Sequence, residues 1–135
     1  MTFSTFRFFF LTAAFLVCGL FYAHADERAF RELPMFAFCS SPEIVDEINA
    51  AFAAGDVMEA KAISNNAEKT GTCVNTYPRP VMFRGQEIVR RYTAEQSGTV
   101  PEIVVKGTLT RTGQTVYVWA DAKLEEEFYA ESEGT

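Results

Sequence analysis

Thiols and carboxylates are the side chains of this sequence that could do covalent or acid–base chemistry. The 135-residue chain has three cysteines, Cys18, Cys39 and Cys73, and a single histidine, His24. A Ser-His-Asp site, a Cys-His site and a histidine-bearing zinc site all require a histidine inside the folded domain. The place of His24 in the chain therefore decides whether these chemistries are available.

The first 25 residues have the pattern of a secretory signal peptide. Arg7 precedes an uncharged run over 8–23, and Ala23-His24-Ala25 places small residues where signal peptidase cleaves. The alternative is a retained membrane anchor, because an apolar run of 16 residues is near the shortest that spans a bilayer. We expect a secreted or periplasmic protein whose mature chain has no histidine and two cysteines.

Two helices of equal length are predicted in the middle of the chain. The first, over 42–54, begins with Ser40-Ser41-Pro42-Glu43, and the second, over 57–69, follows the cap residue Asp56; each ends at a glycine. Apolar residues recur on one face of each helix, at 44, 48, 51 and 52 in the first and at 57, 60, 63 and 67 in the second. The pattern predicts an antiparallel helical hairpin.

Cys39 and Cys73 stand immediately outside the two ends of this hairpin. Antiparallel helices of equal length bring their outer ends together, so we predict a Cys39–Cys73 disulfide. Closing a loop of this length should stabilise the fold by roughly 3 to 4 kcal/mol. The alternative is a pair of free thiols in a cytosolic protein, which would conflict with the export signal.

The turn of the hairpin, Ala50–Ala62, is similar to the inter-helix turn of tetratricopeptide-like hairpins. The resemblance covers one turn, and the sequence has no second copy of the segment. It implies a helical hairpin and assigns no role to any residue.

The charge of the chain is negative and unevenly distributed. The formal net charge is −6, and the balance is −5 over 26–73, +3 over 74–120 and −5 over 121–135. An exported acidic domain is not typical of nucleic-acid binding, so we expect no nucleic-acid partner. A membrane partner is expected only if the signal is retained as an anchor.

Three kinds of chemistry remain for an enzyme: carboxylate chemistry of the glycosidase type, lysine-based nucleophilic chemistry and a carboxylate-bound metal. The densest acidic run is Glu125-Glu126-Glu127, which lies in the C-terminal segment. Two catalytic carboxylates need a fixed separation, and a terminal run does not supply one. We interpret the run as a solvated acidic face and expect no enzyme activity, cofactor or metal site.

The second half of the chain has the composition of β-structure. Residues 81–83 predict a strand, 86–93 fit either a strand or a short helix, and 103–111 with 114–120 predict a hairpin joined at Thr112-Gly113. A two-residue turn places Val105, Gly107 and Leu109 beside Val116, Val118 and Ala120 on an apolar face.

The opposite face of that hairpin would carry Tyr117 and Trp119 next to Lys106 and Thr108. Such an arrangement would be a small aromatic platform for a ligand or partner. The alternative is a three-residue loop with a bulge at Gly113, which would pair Trp119 with Val105 and make the aromatics part of the core.

Four arginines, Arg79, Arg84, Arg90 and Arg91, alternate with aromatic residues in the basic third of the chain. The planar guanidinium fits carboxylate and phosphate groups. We consider two interpretations: a surface that binds an anionic envelope component or an acidic protein, and arginines that pair with the acidic helices and tail of the same molecule.

These patterns predict one α+β domain: a lead-in over 26–38, then a disulfide-clasped helical hairpin packed on a small antiparallel sheet of three or four strands. The predicted division is a signal peptide over 1–25, the domain over 26–120 and an acidic tail over 121–135, within which Leu124, Phe128 and Tyr129 would allow a short helix. The expected role is a small exported, non-catalytic accessory or interaction protein that binds a protein or an anionic envelope partner. The alternatives are an exported inhibitor or effector of an envelope enzyme, and a carboxylate-based hydrolase.

Overall fold

A computed structural model describes residues 28–131 of the chain. The predicted signal peptide, with Cys18 and His24, lies outside the described residues. Over 28–131, no helix is both long enough and apolar enough to cross a membrane.

The described chain contains six strands, three α-helices and one 3₁₀ helix, connected by short loops. In chain order these are β1 Glu32–Met35, β2 Ala37–Cys39, α1 Glu43–Ala53, α2 Val57–Thr70, β3 Cys73–Asn75, β4 Val81–Tyr92, α3 Ala94–Ser97, β5 Glu102–Leu109, β6 Thr115–Asp121 and the 3₁₀ helix Ala122–Phe128.

The six strands form one antiparallel sheet in the order β1-β4-β5-β6-β2-β3. The prediction of a three- or four-stranded sheet is therefore wrong. The additional strands β1, β2 and β3 have three or four residues each. Segments this short do not show the alternation of apolar and polar residues that predicts a strand. They are strands because they pair with residues distant in sequence; Leu33, for example, stands opposite Phe83.

The sheet curls into a half-barrel. Strands β1 and β2 are joined by one residue, Phe36, although three other strands separate them in the sheet order. Because consecutive Cα atoms are about 3.8 Å apart, β1 and β2 must meet. A flat sheet would hold them roughly 19 Å apart at about 4.8 Å per strand, so the sheet has to bend.

The inner face of the half-barrel holds the main hydrophobic core, with one side chain contributed from outside the sheet. Its buried members are Leu33, Phe83, Ile103, Val105, Leu109, Val116, Val118 and Phe128. Phe128 belongs to the 3₁₀ helix and is 2 % exposed. The predicted apolar face of the β5–β6 hairpin is therefore the face that lines the core.

The register of that hairpin differs from both predicted registers. Lys106 stands opposite Tyr117, and Val104 stands opposite Trp119. A two-residue turn at Thr112-Gly113 would instead place Lys106 opposite Trp119, two residues further along β6. The loop is longer than a two-residue turn. The Leu109 N–H donates to the Gln114 carbonyl across it, at 2.9 Å, so residues 110–113 lie between the paired ends. Side chains alternate with a period of two, so a shift of two residues keeps every side chain on its predicted face.

The helical hairpin is confirmed, and it packs on the outer face of the sheet. The Asp56 side chain caps α2 by accepting the Glu59 N–H at 3.0 Å, and Gly71 ends α2 with a φ of 79°. Ile48, Ala51 and Ala60 form a second apolar cluster, against which Ile44, Phe52, Ile63 and Trp119 pack. Trp119 is the member of this cluster that comes from the sheet.

The segment over 121–135 was predicted as an acidic tail with a short helix. A 3₁₀ helix forms over Ala122–Phe128. Tyr129 stacks on Phe30 with ring centroids 4.6 Å apart, and the Ala130 N–H donates to the Ala29 carbonyl at 2.8 Å. The chain to residue 130 therefore packs on the domain, and the boundary at 120 remains a prediction.

Candidate functional site

The Cys39–Cys73 disulfide is present, with an S–S distance of 2.06 Å. The two cysteines stand opposite each other on β2 and β3. The Ser40 N–H donates to the Thr72 carbonyl and the Thr76 N–H to the Phe36 carbonyl, both at 2.7 Å. In this ladder Cys39 and Cys73 form a non-hydrogen-bonded pair, in which side chains approach most closely. The disulfide therefore fastens the ends of the helical hairpin to the sheet.

A cleft of about 160 Å³ lies beside the disulfide, between the helical hairpin and the sheet. Its lining residues are Ala37, Phe38, Cys39, Ile48, Ser64, Glu68, Cys73, Val74, Asn75, Tyr117 and Trp119. Pockets for drug-sized molecules usually measure roughly 300 to 1,000 Å³. This cleft is the size of one amino-acid side chain.

The residues of the predicted aromatic platform do come together, but the helices cover them in part. Tyr117 and Trp119 line the cleft, and both are half-buried. Lys106 lies opposite Tyr117 and reaches Glu87 at 3.9 Å. The arrangement is a cleft with aromatic walls, because α1 and α2 lie over the outer face of the sheet on which the platform was predicted.

A buried polar group lies next to Trp119. Asn49, on α1, is 1 % exposed, and neither atom of its amide has a hydrogen-bond partner among residues 28–131; the same holds for the Trp119 Nε1–H and for one oxygen of Glu102. Burial raises the pKa of Glu102. The nearby Trp119 and Asn49 side chains oppose this rise, although neither makes a regular hydrogen bond to the carboxylate.

The four arginines do not form one surface. Two register shifts interrupt β4, between Gly85 and Glu87 and between Ile88 and Arg90. Arg90 contacts α1, whereas Arg91 contacts the 3₁₀ helix on the other side of the sheet. Arg84 lies toward the opposite end of the strand, roughly 20 Å from Arg91 at about 3.3 Å per residue.

Three of these arginines make ion pairs within the molecule. Arg90 Nε donates to both carboxylate oxygens of Asp46, at 3.1 and 3.2 Å, and Arg84 reaches Glu32 at 3.7 Å. Arg91 donates to Glu125 with both terminal nitrogens, at 2.7 and 3.0 Å. The Arg90 and Arg91 contacts agree with the second interpretation, in which the arginines pair with the acidic helices and tail, whereas the Glu32 partner of Arg84 lies in β1.

The ion pairs shift the protonation of their members. The hydrogen bond from Arg91 lowers the pKa of Glu125, and the hydrogen bond to Asp46 raises the pKa of Arg90. Burial raises the pKa of Tyr92, and its hydroxyl donates to Asp46, which adds to the rise. Tyr92, Asp46 and Arg90 together fasten α1 to β4.

Arg79 lies apart from the other three arginines, in the loop that precedes β4. Its side chain is exposed, and its backbone N–H donates to the Thr76 carbonyl at 2.9 Å. This bond holds the Arg79 backbone next to the end of β3, since Thr76 directly follows that strand.

Two larger and more open hollows offer less chemistry. One, of about 300 Å³, lies at Arg28, Phe30 and Tyr129, and the other, of about 310 Å³, includes Glu102 as its acidic residue. Within 28–131 no group of three or more His, Cys, Asp or Glu side chains converges as a metal site would require. Neither hollow brings two carboxylates together in the way a glycosidase-type mechanism needs.

Sequence reasoning missed Ser64 and Glu68, which form the helical wall of the cleft. Their spacing of four residues on α2 is a signal that they share a helix face. The sequence alone could not show that this face lies over Tyr117, since that requires the pairing of β2 with β6.

Comparisons with known proteins do not place the chain in a family. No protein-family model matches it, and searches of curated proteins and of solved structures gave no significant match.

Proposed function

We propose that this chain is a small exported, non-catalytic interaction protein and that it binds a partner protein at the cleft beside the disulfide. The observation that carries the proposal is the cleft itself, with Tyr117 and Trp119 in its wall and the Cys39–Cys73 disulfide at its side. Tyrosine and tryptophan in partly desolvated depressions are typical of the residues that dominate binding energy at protein interfaces.

Exposed apolar residues continue from the cleft to the neighbouring surface. Val74, in the cleft wall, is 38 % exposed, and Phe36 and Tyr77 are 42 % and 74 % exposed. Phe36 and Tyr77 make an edge-to-face contact with centroids 5.5 Å apart, and the Thr76 N–H ties the two segments together by its bond to Phe36. Partner binding would cover these side chains, which otherwise lie in water at a cost.

Export is part of the proposal. A disulfide is typical of an oxidising compartment, and the pattern over 1–25 supplies a route to one. A protein partner is better supported than an anionic envelope component, because Arg90 and Arg91 already hold carboxylates of the same chain.

Site-specific photo-crosslinking tests the proposal. A benzophenone amino acid is placed at Ser64, in the cleft wall, and in a matched protein at Glu59, an exposed position of the same helix outside the cleft. We expect illumination in envelope extract to give a discrete adduct from position 64 and none from position 59. Equal labelling from both positions would contradict the proposal. If the adduct contains an enzyme, an assay of that enzyme with the added domain distinguishes an inhibitor from an accessory protein.

A further inference from the structure

We propose that the partner contributes an extended segment, which adds a strand to the free edge of β3 and places a lysine or arginine side chain in the cleft against Glu68. This inference rests on the proposed function, because it specifies what occupies the same cleft. Three features of the structure lead to it: the orientation of the β3 backbone, the charge of the cleft and its size.

The outer edge of β3 offers unpaired backbone groups. β3 is the last strand of the sheet, and no strand of the described chain pairs with its outer side. Bonds between Ser40 and Thr72 and between Thr76 and Phe36 fix the ladder, so that Val74 bonds toward β2 while Cys73 and Asn75 point their N–H and C=O groups outward. Such an edge accepts an added strand by main-chain hydrogen bonds.

The opposite edge of the sheet is less suited to this role. β1 contains Pro34, which has no N–H to donate. Proline on an edge strand commonly prevents the addition of another strand. β3 has no proline and carries the exposed side chain of Val74. Of the two edges, β3 is therefore the one open to a partner.

The charge of the cleft favours a cation. Among the lining residues, all in the described part of the chain, Glu68 alone is charged. Tyr117 and Trp119 present aromatic rings, whose faces attract lysine and arginine side chains. An acidic side chain would instead be repelled by Glu68 and by the net charge of −6.

The size of the cleft limits the occupant to one side chain. A volume of about 160 Å³ is equivalent to roughly five water molecules at about 30 Å³ each. The lining residues Cys73 and Asn75 belong to β3 itself, so the cleft borders the free edge. A long side chain from a strand added about 4.8 Å beyond β3 can extend across β3 toward Tyr117.

A peptide series tests the inference directly. Blocked pentapeptides Thr-Val-X-Val-Thr, with X as Lys, Arg, norleucine or Glu, are titrated into the oxidised protein, and binding is followed by the fluorescence of Trp119, the single tryptophan of the chain. We expect lysine and arginine peptides to bind at least tenfold more tightly than the norleucine peptide, with the glutamate peptide weakest. Glu68→Gln should abolish this preference, whereas Glu59→Gln, which removes the same charge elsewhere on α2, should keep it.

The role of the β3 edge is tested separately. Asn75→Pro removes an outward N–H without removing a bond of the β2–β3 ladder, and Asn75→Ala keeps that N–H while it removes the side-chain bond to Tyr77. We expect the proline variant to bind the peptides at least tenfold more weakly than the alanine variant, because only the proline variant lacks the outward N–H. If Asn75→Pro does not fold, N-methylation of alternate peptide residues tests the same hydrogen bonds and should abolish binding in one register.

The outcomes separate the inference from the proposed function. Adducts from position 64 without any preference for a basic residue at X, or a preference that Glu68→Gln leaves intact, would overturn the inference and leave the cleft as an interface. A concentration-dependent dimer that Asn75→Pro abolishes would make a second copy the occupant and also overturn it. Absence of both the adduct and peptide binding would remove the proposed function as well.

Discussion

Cys39 and Cys73 stand opposite each other on adjacent antiparallel strands, and their disulfide joins the last strand before the helical hairpin to the first strand after it. Neither cysteine belongs to a helix, because α1 begins at Glu43, after Cys39, and α2 ends at Thr70, before Cys73. The disulfide is thus a cross-strand bond of the sheet. It fixes both the hairpin and the free edge of β3.

We expect the disulfide to supply a large part of the stability of this small domain. The cysteines are separated by 34 residues, and closing such a loop corresponds to about 4 kcal/mol in the chain-entropy treatment. The double variant Cys39→Ser/Cys73→Ser should lose about this free energy of unfolding, measured by urea denaturation with Trp119 fluorescence. Reduction of the unaltered protein should give a similar loss, and an unchanged midpoint in both experiments would contradict the prediction.

Arg90 and Arg91 provide a matched pair, because they are adjacent but lie on opposite faces of β4. Arg90, whose side chain is 34 % exposed, joins Asp46 and Tyr92 between the sheet and α1, whereas Arg91, 62 % exposed, pairs with Glu125 of the 3₁₀ helix. A double-mutant cycle should give a coupling energy of up to about 1 kcal/mol for Arg90–Asp46. The Arg91–Glu125 cycle should give less and fall further in high salt, and the reverse order would contradict this account of the two arginines.

The pH dependence should report the half-buried carboxyl of Glu102. Burial raises its pKa above the ordinary value of 4.5, so the native state binds its proton more tightly than the unfolded state does. Its contribution to stability is therefore greatest below about pH 4.5 and is lost as pH rises through the native pKa. Glu102→Gln should be more stable than the unaltered protein at pH 7, and the difference should shrink toward pH 4.

The control for this experiment is Glu47→Gln, which removes one carboxylate from an exposed position of α1. Hydrogen bonds from Arg91 and Arg28 lower the pKa values of Glu125 and Glu126. The parent protein and each variant should therefore lose stability in acid. The informative quantity is the difference between variant and parent. A Glu102→Gln difference that is independent of pH would show that this carboxyl is not perturbed.

Two glycines of the β5–β6 hairpin should respond differently to alanine. A Cβ at Gly107 would lie 2.2 Å from the Arg84 carbonyl oxygen and 2.6 Å from the Phe83 ring, whereas a Cβ at Gly113 meets nothing within 4 Å. Gly113 has a φ of 73°, so its alanine variant should lose about 1 kcal/mol from backbone strain.

Gly107→Ala should lose roughly 2 to 3 kcal/mol or fail to fold, because β4 would have to move away. Thermal unfolding of the two variants compares them directly. Equal losses would show that the strands are not as closely packed at Gly107 as the structure has them.

The sequence by itself determined the local elements. The caps at Asp56 and Gly71 and the apolar spacing of the two helices follow from short-range rules, and the helical hairpin and its disulfide were predicted from them. The two faces of the β5–β6 hairpin were also predicted, because side-chain alternation survives a register error of two residues.

Only the tertiary structure decided the size of the sheet and the place of the cleft. β1 is a strand because it pairs with β4, and β2 and β3 are strands because β2 pairs with β6 and with β3. Three or four residues carry too little pattern to reveal such partners. The two register shifts in β4 likewise depend on its pairing with β5, whereas Arg90 and Arg91 lie on opposite faces because adjacent strand residues alternate. The Glu68 wall, the Tyr117 wall and the free edge of β3 meet through contacts distant in sequence, and the physical reason is that local propensity sets an element while burial against a remote partner sets where it lies.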